Sequence, residues 1–273
     1  KYAAMGILAK VHLTLNEYAQ CASLTQKIIG NQYTLIQEYG NLFSSPENNN
    51  SAESMFALQW KAIATEWGTQ NTNQAYIVPG GTGITGGGDG WGVYLPSISL
   101  QNGFEPKDTR KKSTIMTDGD FYPELLKNQG GFLYKKIYSS TAANFRKYIV
   151  GSAAERNDVF FMRTSQNTII LRYSDILLMN SEAILAGASS TTSTDALSSF
   201  NEVRARAGLP AKTVLTRDEL FNERRVEFAL EGQYFFDLKR RGLTEATAVI
   251  SQQEVGFYSD DARTELISRK ITP

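Results

Sequence analysis

Glu227 and Glu231 stand one helical turn apart, and they are the residues whose types and spacing could perform acid–base chemistry. Carboxylate pairs hydrolyse glycosidic bonds when one member is protonated and the other ionised. Arg224 and Arg225 lie beside them, and neighbouring cations lower a carboxyl pKa, whereas a general acid needs a raised one. The pattern therefore favours a structural role for both carboxylates, as ion-pair partners of arginine.

A helix is predicted to begin near Thr216, because Thr216 and Glu219 have the spacing of a capping box. At about 100° per residue, Leu220 and Phe228 share one face of this helix. The charged side chains of Arg224, Glu227 and Glu231 fall on or beside that face. Charges on a buried face need partners, since isolated buried ions are costly to desolvate.

Two upstream segments supply candidate partners. Residues 174–187, SDILLMNSEAILAG, are predicted to form a helix that projects Glu182 among apolar side chains. Residues 194–208, TDALSSFNEVRARAG, are predicted to form a helix whose apolar stripe contains Arg204 and leaves Arg206 on the opposite side. The sequence thus predicts a buried ion network drawn from Glu182, Arg204, Arg224, Glu227 and Glu231.

Composition excludes several classes of function. The 273 residues carry 28 basic and 28 acidic side chains without a dense basic stripe, which argues against nucleic acid as a partner. His12 and Cys21 are the single histidine and cysteine, so no internal disulfide or thiol-based metal cluster forms, and both are predicted to pack in the interior. No apolar run is long enough to span a membrane. No cofactor is expected.

The remaining elements follow from periodicity. Residues 2–29 are predicted to form two helices broken around Asn16, with the spacing of a tetratricopeptide unit. Residues 51–60 predict a strand in which Trp60 is a core residue, and residues 244–254 predict a last helix.

A glycine-rich stretch has the spacing of a dinucleotide-binding motif. Residues 81–86, GTGITG, fit GxGxxG, but a dinucleotide site needs a preceding strand and a following helix. Pro79 precedes the motif and GGDGWG follows it, so we predict a loop.

The sequence DGD at 118–120 is predicted to be a turn instead of a cation site, since the rest of an EF-hand loop is missing.

Three linked segments closely resemble the C-terminal half of the SusD/RagB family. They are NTIILRYSDILLMNSEAIL, ALSSFNEVRARAGL and ELFNERRVEFALEGQYFFDLKRRG, and they follow the family's RxADxLLxxAEA, xNxVRxRAGL and ERxxELxxEGxRxxDLxRxG motifs in the same order. Ser181 and Gln233 stand where the family usually has Ala and Arg. The segment FEPKDTRKKSTI and the opening helix pair extend the resemblance over most of the chain.

The resemblance implies a mainly α fold, a tetratricopeptide-like helical repeat scaffold with irregular loop and short-strand insertions. Residues 1–273 would form a single domain. Within it we expect a helix pair at 1–30, a loop-rich ligand-binding region at 66–165 and a helical motif region at 166–256. The family's export signal, lipidated cysteine and C-terminal ending are missing from this sequence, and we expect a chain trimmed at both ends.

The resemblance also implies a function without catalysis. From the resemblance we expect a lipoprotein anchored on the outer face of the outer membrane, similar to proteins that capture glycans or other nutrients. They deliver these ligands to a SusC-like TonB-dependent transporter, the expected partner here.

Residues for ligand binding are expected on loops that the scaffold positions. Aromatic rings match the apolar faces of sugars, and amides and carboxylates match their hydroxyl groups. Trp67 and Trp91 could instead be packing residues of the glycine loop. The candidate ligand-binding residues are Trp67, Asn71, Asn73, Tyr76, Asp89, Trp91 and Tyr94.

Two other functions stay open at this point. A tetratricopeptide-type adaptor would bind proteins through the same scaffold. A glycoside hydrolase would need a carboxylate pair free of arginine, for which Asp89 with Asp118 or Asp120 is the candidate.

Overall fold

A computed structural model describes residues 1–44, 46–62, 68, 71–86, 90–160 and 163–253. Over these ranges the protein is mainly helical with short two-stranded antiparallel sheets, as predicted. The helices are α1 Tyr2–Thr14, α2 Tyr18–Gln26, α3 Asn41–Ser44, α4 Asn73–Ile77, α5 Ile98–Gln101, α6 Arg110–Thr114, α7 Tyr173–Leu185, α8 Thr194–Arg206, α9 Arg217–Glu227, α10 Tyr234–Arg240 and α11 Leu243–Ile250. The strands are β1 Ser54–Leu58, β2 Ile115–Thr117, β3 Phe121–Tyr122, β4 Phe132–Leu133, β5 Ala143–Phe145, β6 Val159–Phe160, β7 Arg163–Thr164, β8 Thr168–Arg172, β9 Ser190–Thr191 and β10 Leu215–Thr216.

Helices α1, α2, α7 and α8 pack around one apolar core. Asn16, with φ 59°, separates α1 from α2, as predicted. A Cβ on Gly6 would lie 2.6 Å from Leu171 Cδ2, so this glycine lets α1 approach the strand β8. Cys21 is fully buried as predicted. The prediction for His12 is wrong, because its side chain is 23% exposed and Nδ1 contacts Glu17 Oε2.

A second core lies beneath the loop-rich region, where Phe43, Met116 and Tyr134 are buried. The sheet that strand β1 forms with β8 lies beside it. Leu58, at the end of β1, is 48% exposed, and side chains two apart on a strand point to the same face, so the face that Trp60 continues points to solvent. Trp60 is consequently half-buried instead of in the core, with Nε1 donating to Thr168 Oγ1 at 3.0 Å.

Residues 81–86 form turns, and the next helix in the described chain, α5, has four residues. The prediction of a loop is confirmed, because no helix in the described part of this region begins where a pyrophosphate would need one. The turn predicted at 118–120 is also present. Asp120 Oδ2 accepts from the Thr117 backbone N–H at 2.7 Å, and Asp118 Oδ1 accepts from the Lys136 backbone N–H at 2.8 Å.

Among the described helices, none combines the length and the apolar character that a membrane crossing requires. The division of the chain into regions 1–30, 66–165 and 166–256 stays a prediction.

Helix α9 begins with the predicted capping box. Thr216 Oγ1 accepts from the Glu219 backbone N–H at 3.2 Å, and Glu219 Oε2 accepts from the Thr216 backbone N–H at 3.0 Å. Both bonds satisfy backbone donors that the first helical turn leaves without a partner. The cap therefore fixes where the charged residues of α9 point.

Replacing Thr216 by Ala removes this cap, and we expect the free energy of unfolding to fall by about 1 kcal/mol. Urea denaturation followed by circular dichroism measures the change. Thr34→Ala is the control, because Thr34 is exposed, and it should change stability by less than about 0.5 kcal/mol. Equal losses in the two variants would contradict a specific role for the cap.

Candidate functional site

Glu227 is fully buried and contacts three arginine side chains. Oε2 accepts from Arg110 Nη1 at 2.7 Å, Oε1 accepts from Arg172 Nη1 at 2.5 Å, and Oε1 also accepts from Arg206 Nη2. Burial raises the pKa of Glu227, but the charges of the three arginines outweigh it and hold the pKa well below its usual range. A carboxylate that stays ionised cannot donate a proton as a general acid.

Glu231 is held in a similar way. It accepts from Arg172 Nη2 at 2.8 Å and from Lys147 Nζ at 2.7 Å. Burial raises its pKa, and the charges of Arg172 and Lys147 more than offset that effect, so the pKa of Glu231 is lowered. Burial lowers the pKa of Lys147 to about 8, although Glu231 opposes this shift. Both members of the apparent acid–base pair are thus occupied by cations.

Arg224 belongs to a second ionic cluster. Its Nη1 donates to Asp175 Oδ1 at 2.9 Å and its Nε to Asp237 Oδ2 at 3.0 Å. Glu182 lies 3.9 Å from Arg224 and pairs with Arg240 at 2.7 Å. Arg224 and Glu227 are only about 60° apart around the helix, yet their side chains reach different partners. The predicted members are all in buried ion pairs, but they divide into two clusters.

The prediction that Arg206 lies away from the buried face is wrong. Arg206 is 7% exposed and donates to Glu53 Oε2 at 3.2 Å as well as to Glu227. Helix α8 is covered on that side by the segment that includes Ile36 and Glu53, so it is buried on two faces. Arg204, on the predicted face, pairs with Glu105 at 2.5 Å.

Sequence reasoning missed several members of the clusters. Arg110 lies in FEPKDTRKKSTI and Arg172 in NTIILRY, segments noted for their resemblance to family motifs but not assigned a charge partner. Helical periodicity gave no signal for these residues, because one follows a loop and the other ends a strand. The other missed members among the described residues are Lys10, Glu53, Asp108, Lys147, Asp175, Glu223, Asp237 and Arg240.

Three of the predicted ligand-binding side chains lie together at the surface, and we call them the aromatic platform: Tyr76, Trp91 and Tyr94. The rings of Tyr76 and Tyr94 stack with centroids 5.1 Å apart and planes inclined by 17°. Trp91 contacts Tyr76 edge to face at 5.0 Å. Trp91 is 56% exposed and Tyr94 46% exposed, so the platform offers aromatic surface to solvent.

Main-chain bonds hold the platform on helix α4. The backbone N–H of Trp91 donates to Ala75 O at 2.6 Å, and the backbone N–H of Tyr94 donates to Tyr76 O at 3.1 Å. A Cβ on Gly90 would lie 2.7 Å from the carbonyl oxygen of Val78, so glycine is required where the loop meets the helix. Backbone bonds and a close approach thus position the rings.

Two other predicted ligand-binding residues, Asn71 and Asn73, are not part of the platform. Asn71 is 4% exposed; its Nδ2 donates to Gln166 O at 2.9 Å, and its Oδ1 accepts from the Asn73 backbone at 2.8 Å, so the side chain fixes the start of α4. Asn73 lines a different cavity of about 390 Å³. Trp67 and Asp89 lie outside the described residues.

The carboxylates considered for a hydrolase do not form a described pair. Asp120 accepts a backbone N–H group within the turn and Asp118 accepts that of Lys136, while Asp89 lies outside the described residues. Within the described ranges there is also no group of three histidine, cysteine or carboxylate side chains placed to hold a metal ion.

Packed helix pairs that carry irregular, aromatic-bearing loops define a helical-repeat scaffold protein. Residues 52–267 match the SusD family, and the chain belongs to this family, as its three motifs predicted. It is similar to a SusD-like protein of Bacteroides ovatus, with 33% identity over 252 residues, which are 87% of this chain and 45% of the relative.

Solved structures agree with this assignment. A crystal structure with xylogluco-oligosaccharide superposes with a TM-score of 0.80 and 32% identity, covering 88% of this chain and 50% of the other. A laminarin-binding SusD-like protein gives a TM-score of 0.72 and 25% identity, covering 92% and 56%. The chain therefore spans about half the length of the relatives that it matches.

Replacing Glu227 by Gln leaves buried arginines without their shared carboxylate. We expect the free energy of unfolding to fall by about 3–5 kcal/mol, as for other broken buried pairs. Chemical denaturation measures the loss. Glu47→Gln is the matched control, because Glu47 is 63% exposed in its pair with Arg156, and it should cost less than about 1 kcal/mol. A Glu227→Gln protein as stable as this control would contradict the structural role.

Stability should fall as the pH falls from about 5 to about 2. The pKa values of Glu227 and Glu231 are lower in the folded than in the unfolded protein, so their contribution is present above the unfolded pKa and lost on acidification. Glu223, whose pKa burial raises, contributes with the opposite sign. Urea denaturation at several pH values measures the slope, which Glu231→Gln should make shallower; an unchanged slope would contradict this assignment.

Proposed function

We propose that this protein binds glycan chains through the aromatic platform and does not act on them chemically. The observation that carries the proposal is the exposed arrangement of Tyr76, Trp91 and Tyr94 on a loop docked by backbone bonds. Sugar rings have apolar C–H faces that match flat aromatic surfaces. A pre-positioned ring loses little conformational freedom when a ligand binds, which favours its use for recognition.

Relatives support glycan as the ligand class. One similar protein was crystallised with xylogluco-oligosaccharide, and another is described as laminarin-binding. Both are polymers or fragments built from sugar rings, for which the platform is a chemical match. The particular glycan depends on side chains around the platform, and the family assignment does not specify it.

The absence of catalysis is part of the proposal. Glu227 and Glu231 are buried and occupied by arginine and lysine, so they cannot serve as an acid–base pair. Membership of the SusD family supports a place on the cell surface at the outer membrane, with a lipid anchor. It likewise supports delivery of bound glycan to a SusC-like TonB-dependent transporter.

Trp91→Ala and Tyr94→Ala test the proposal. Each change removes a ring, and we expect the affinity for xyloglucan or laminarin oligosaccharides to fall by roughly three- to tenfold, from the energies of aromatic contacts. The melting temperature should stay nearly unchanged, since both side chains are about half exposed. Isothermal titration calorimetry and thermal denaturation provide the two measurements.

Phe235→Ala is the matched control, because Phe235 is an aromatic residue 67% exposed on α10, outside the platform. Its removal should leave glycan affinity unchanged. If the platform variants bind as well as this control, the platform is not the binding site. If they lose several degrees of melting temperature along with binding, the rings act in packing.

A further inference from the structure

Apart from the platform, the surface has a groove of about 540 Å³ between helix α6, the β3–β4 hairpin and the segment 146–156. We call it the hairpin groove. Its volume is within the range of roughly 300–1,000 Å³ that small-ligand sites occupy. The residues of the aromatic platform do not line it. An inference about this groove therefore stands independently of the proposed function.

Arg146 supplies a fixed positive charge to the groove. It is 5% exposed, Nη1 donates to Ile149 O at 2.6 Å, and its guanidinium lies 5.5 Å from the centre of the Tyr122 ring. Nη2 donates to Glu124 Oε1 at 2.8 Å. The Glu124 side chain is 48% exposed, so a buried, oriented cation is paired with a carboxylate that can move into solvent.

Further cations surround this pair. Lys112 Nζ lies 5.5 Å from the centre of the same Tyr122 ring, and Lys127 also lines the groove. Neither lysine is in an ion pair with a carboxylate among the described residues. Arg156, in contrast, is already paired with Asp158 at 2.9 Å and with Glu47, another residue of the groove wall, at 2.7 Å. The positive charge open to a ligand is thus concentrated near Arg146 and Lys112.

The groove also has features that suit a sugar ring. Phe121 is 44% exposed. Its phenyl ring lies over Gly131, where a Cβ would be 2.5 Å from Phe121 Cζ, so glycine leaves room for the phenyl ring at this position. Glu38 and Glu155 line other parts of the wall and can accept hydrogen bonds from hydroxyl groups.

We propose that the hairpin groove binds an acidic sugar, a uronate residue of a glycan, whose carboxylate displaces Glu124 from Arg146. The group that already occupies Arg146 is a carboxylate, so a ligand carboxylate can form the same bond. The planar guanidinium fork matches the two oxygens of a carboxylate. Lys112 adds a second positive charge, and Phe121 stacks against the sugar face.

The test uses trigalacturonate as the acidic probe and cellotriose as the neutral one, measured by isothermal titration calorimetry. Trigalacturonate should bind the wild-type protein more tightly than cellotriose does. Glu124→Gln removes the competing carboxylate and should raise trigalacturonate affinity by roughly two- to fivefold, the range expected for an exposed ion pair. Lys112→Ala should lower it by a similar factor.

Both substituted side chains are on the surface, so the variants should remain folded, and circular dichroism checks this. Equal affinity of the wild-type protein for the two probes would overturn the proposal. An unchanged trigalacturonate affinity in Glu124→Gln and Lys112→Ala would also overturn it. Trp91→Ala, which alters the platform, should leave trigalacturonate binding intact, so a failure of this proposal is distinguishable from a failure of the proposed function.

Discussion

The buried carboxylate of Glu227 joins parts of the chain that are far apart in sequence. Its three arginine partners come from α6, β8 and α8, and its backbone carbonyl accepts from the hydroxyl of Tyr39 at 2.6 Å. Desolvating these groups is costly, and the cost is offset only when every charge has a partner. The helical region and the loop-rich region are therefore fixed against each other by one set of ionic contacts.

Both surfaces of interest depend on this set. Lys147 lies within it, and its neighbour Arg146 points into the hairpin groove, so the backbone that carries Arg146 is fixed from the interior. Helix α4, which carries Tyr76, is held through Asn71 to the strand segment before Arg172. Charges that look catalytic in the sequence instead provide the rigidity that a pre-formed binding surface needs.

Local signals in the sequence predicted the helices well, because capping and apolar periodicity are properties of neighbouring residues. The capping box at Thr216 and the break at Asn16 are examples. The sequence does not show which distant residues pair with each other. It predicts one network for Arg224 and Glu227, although the two side chains contact different partners in the structure. Trp60 is a predicted core residue that is half-buried, because both faces of β1 carry apolar side chains and the sequence pattern does not show which face is covered. Aromatic residues in a glycine-rich stretch predict the platform. The sequence does not show that Asn71 and Asn73 lie outside it, because their hydrogen bonds are to residues far along the chain or to the backbone.

The loop that bears Trp91 and Tyr94 is attached to α4 mainly through main-chain amides and carbonyls, with a glycine at the point of closest approach. Such an attachment does not depend on which side chains the loop carries. Under the proposed function, exchange of these rings would alter which glycan is bound without weakening the protein, whereas a change among the arginines around Glu227 would need simultaneous changes in distant segments. Ligand preference can therefore diverge quickly on a scaffold that diverges slowly.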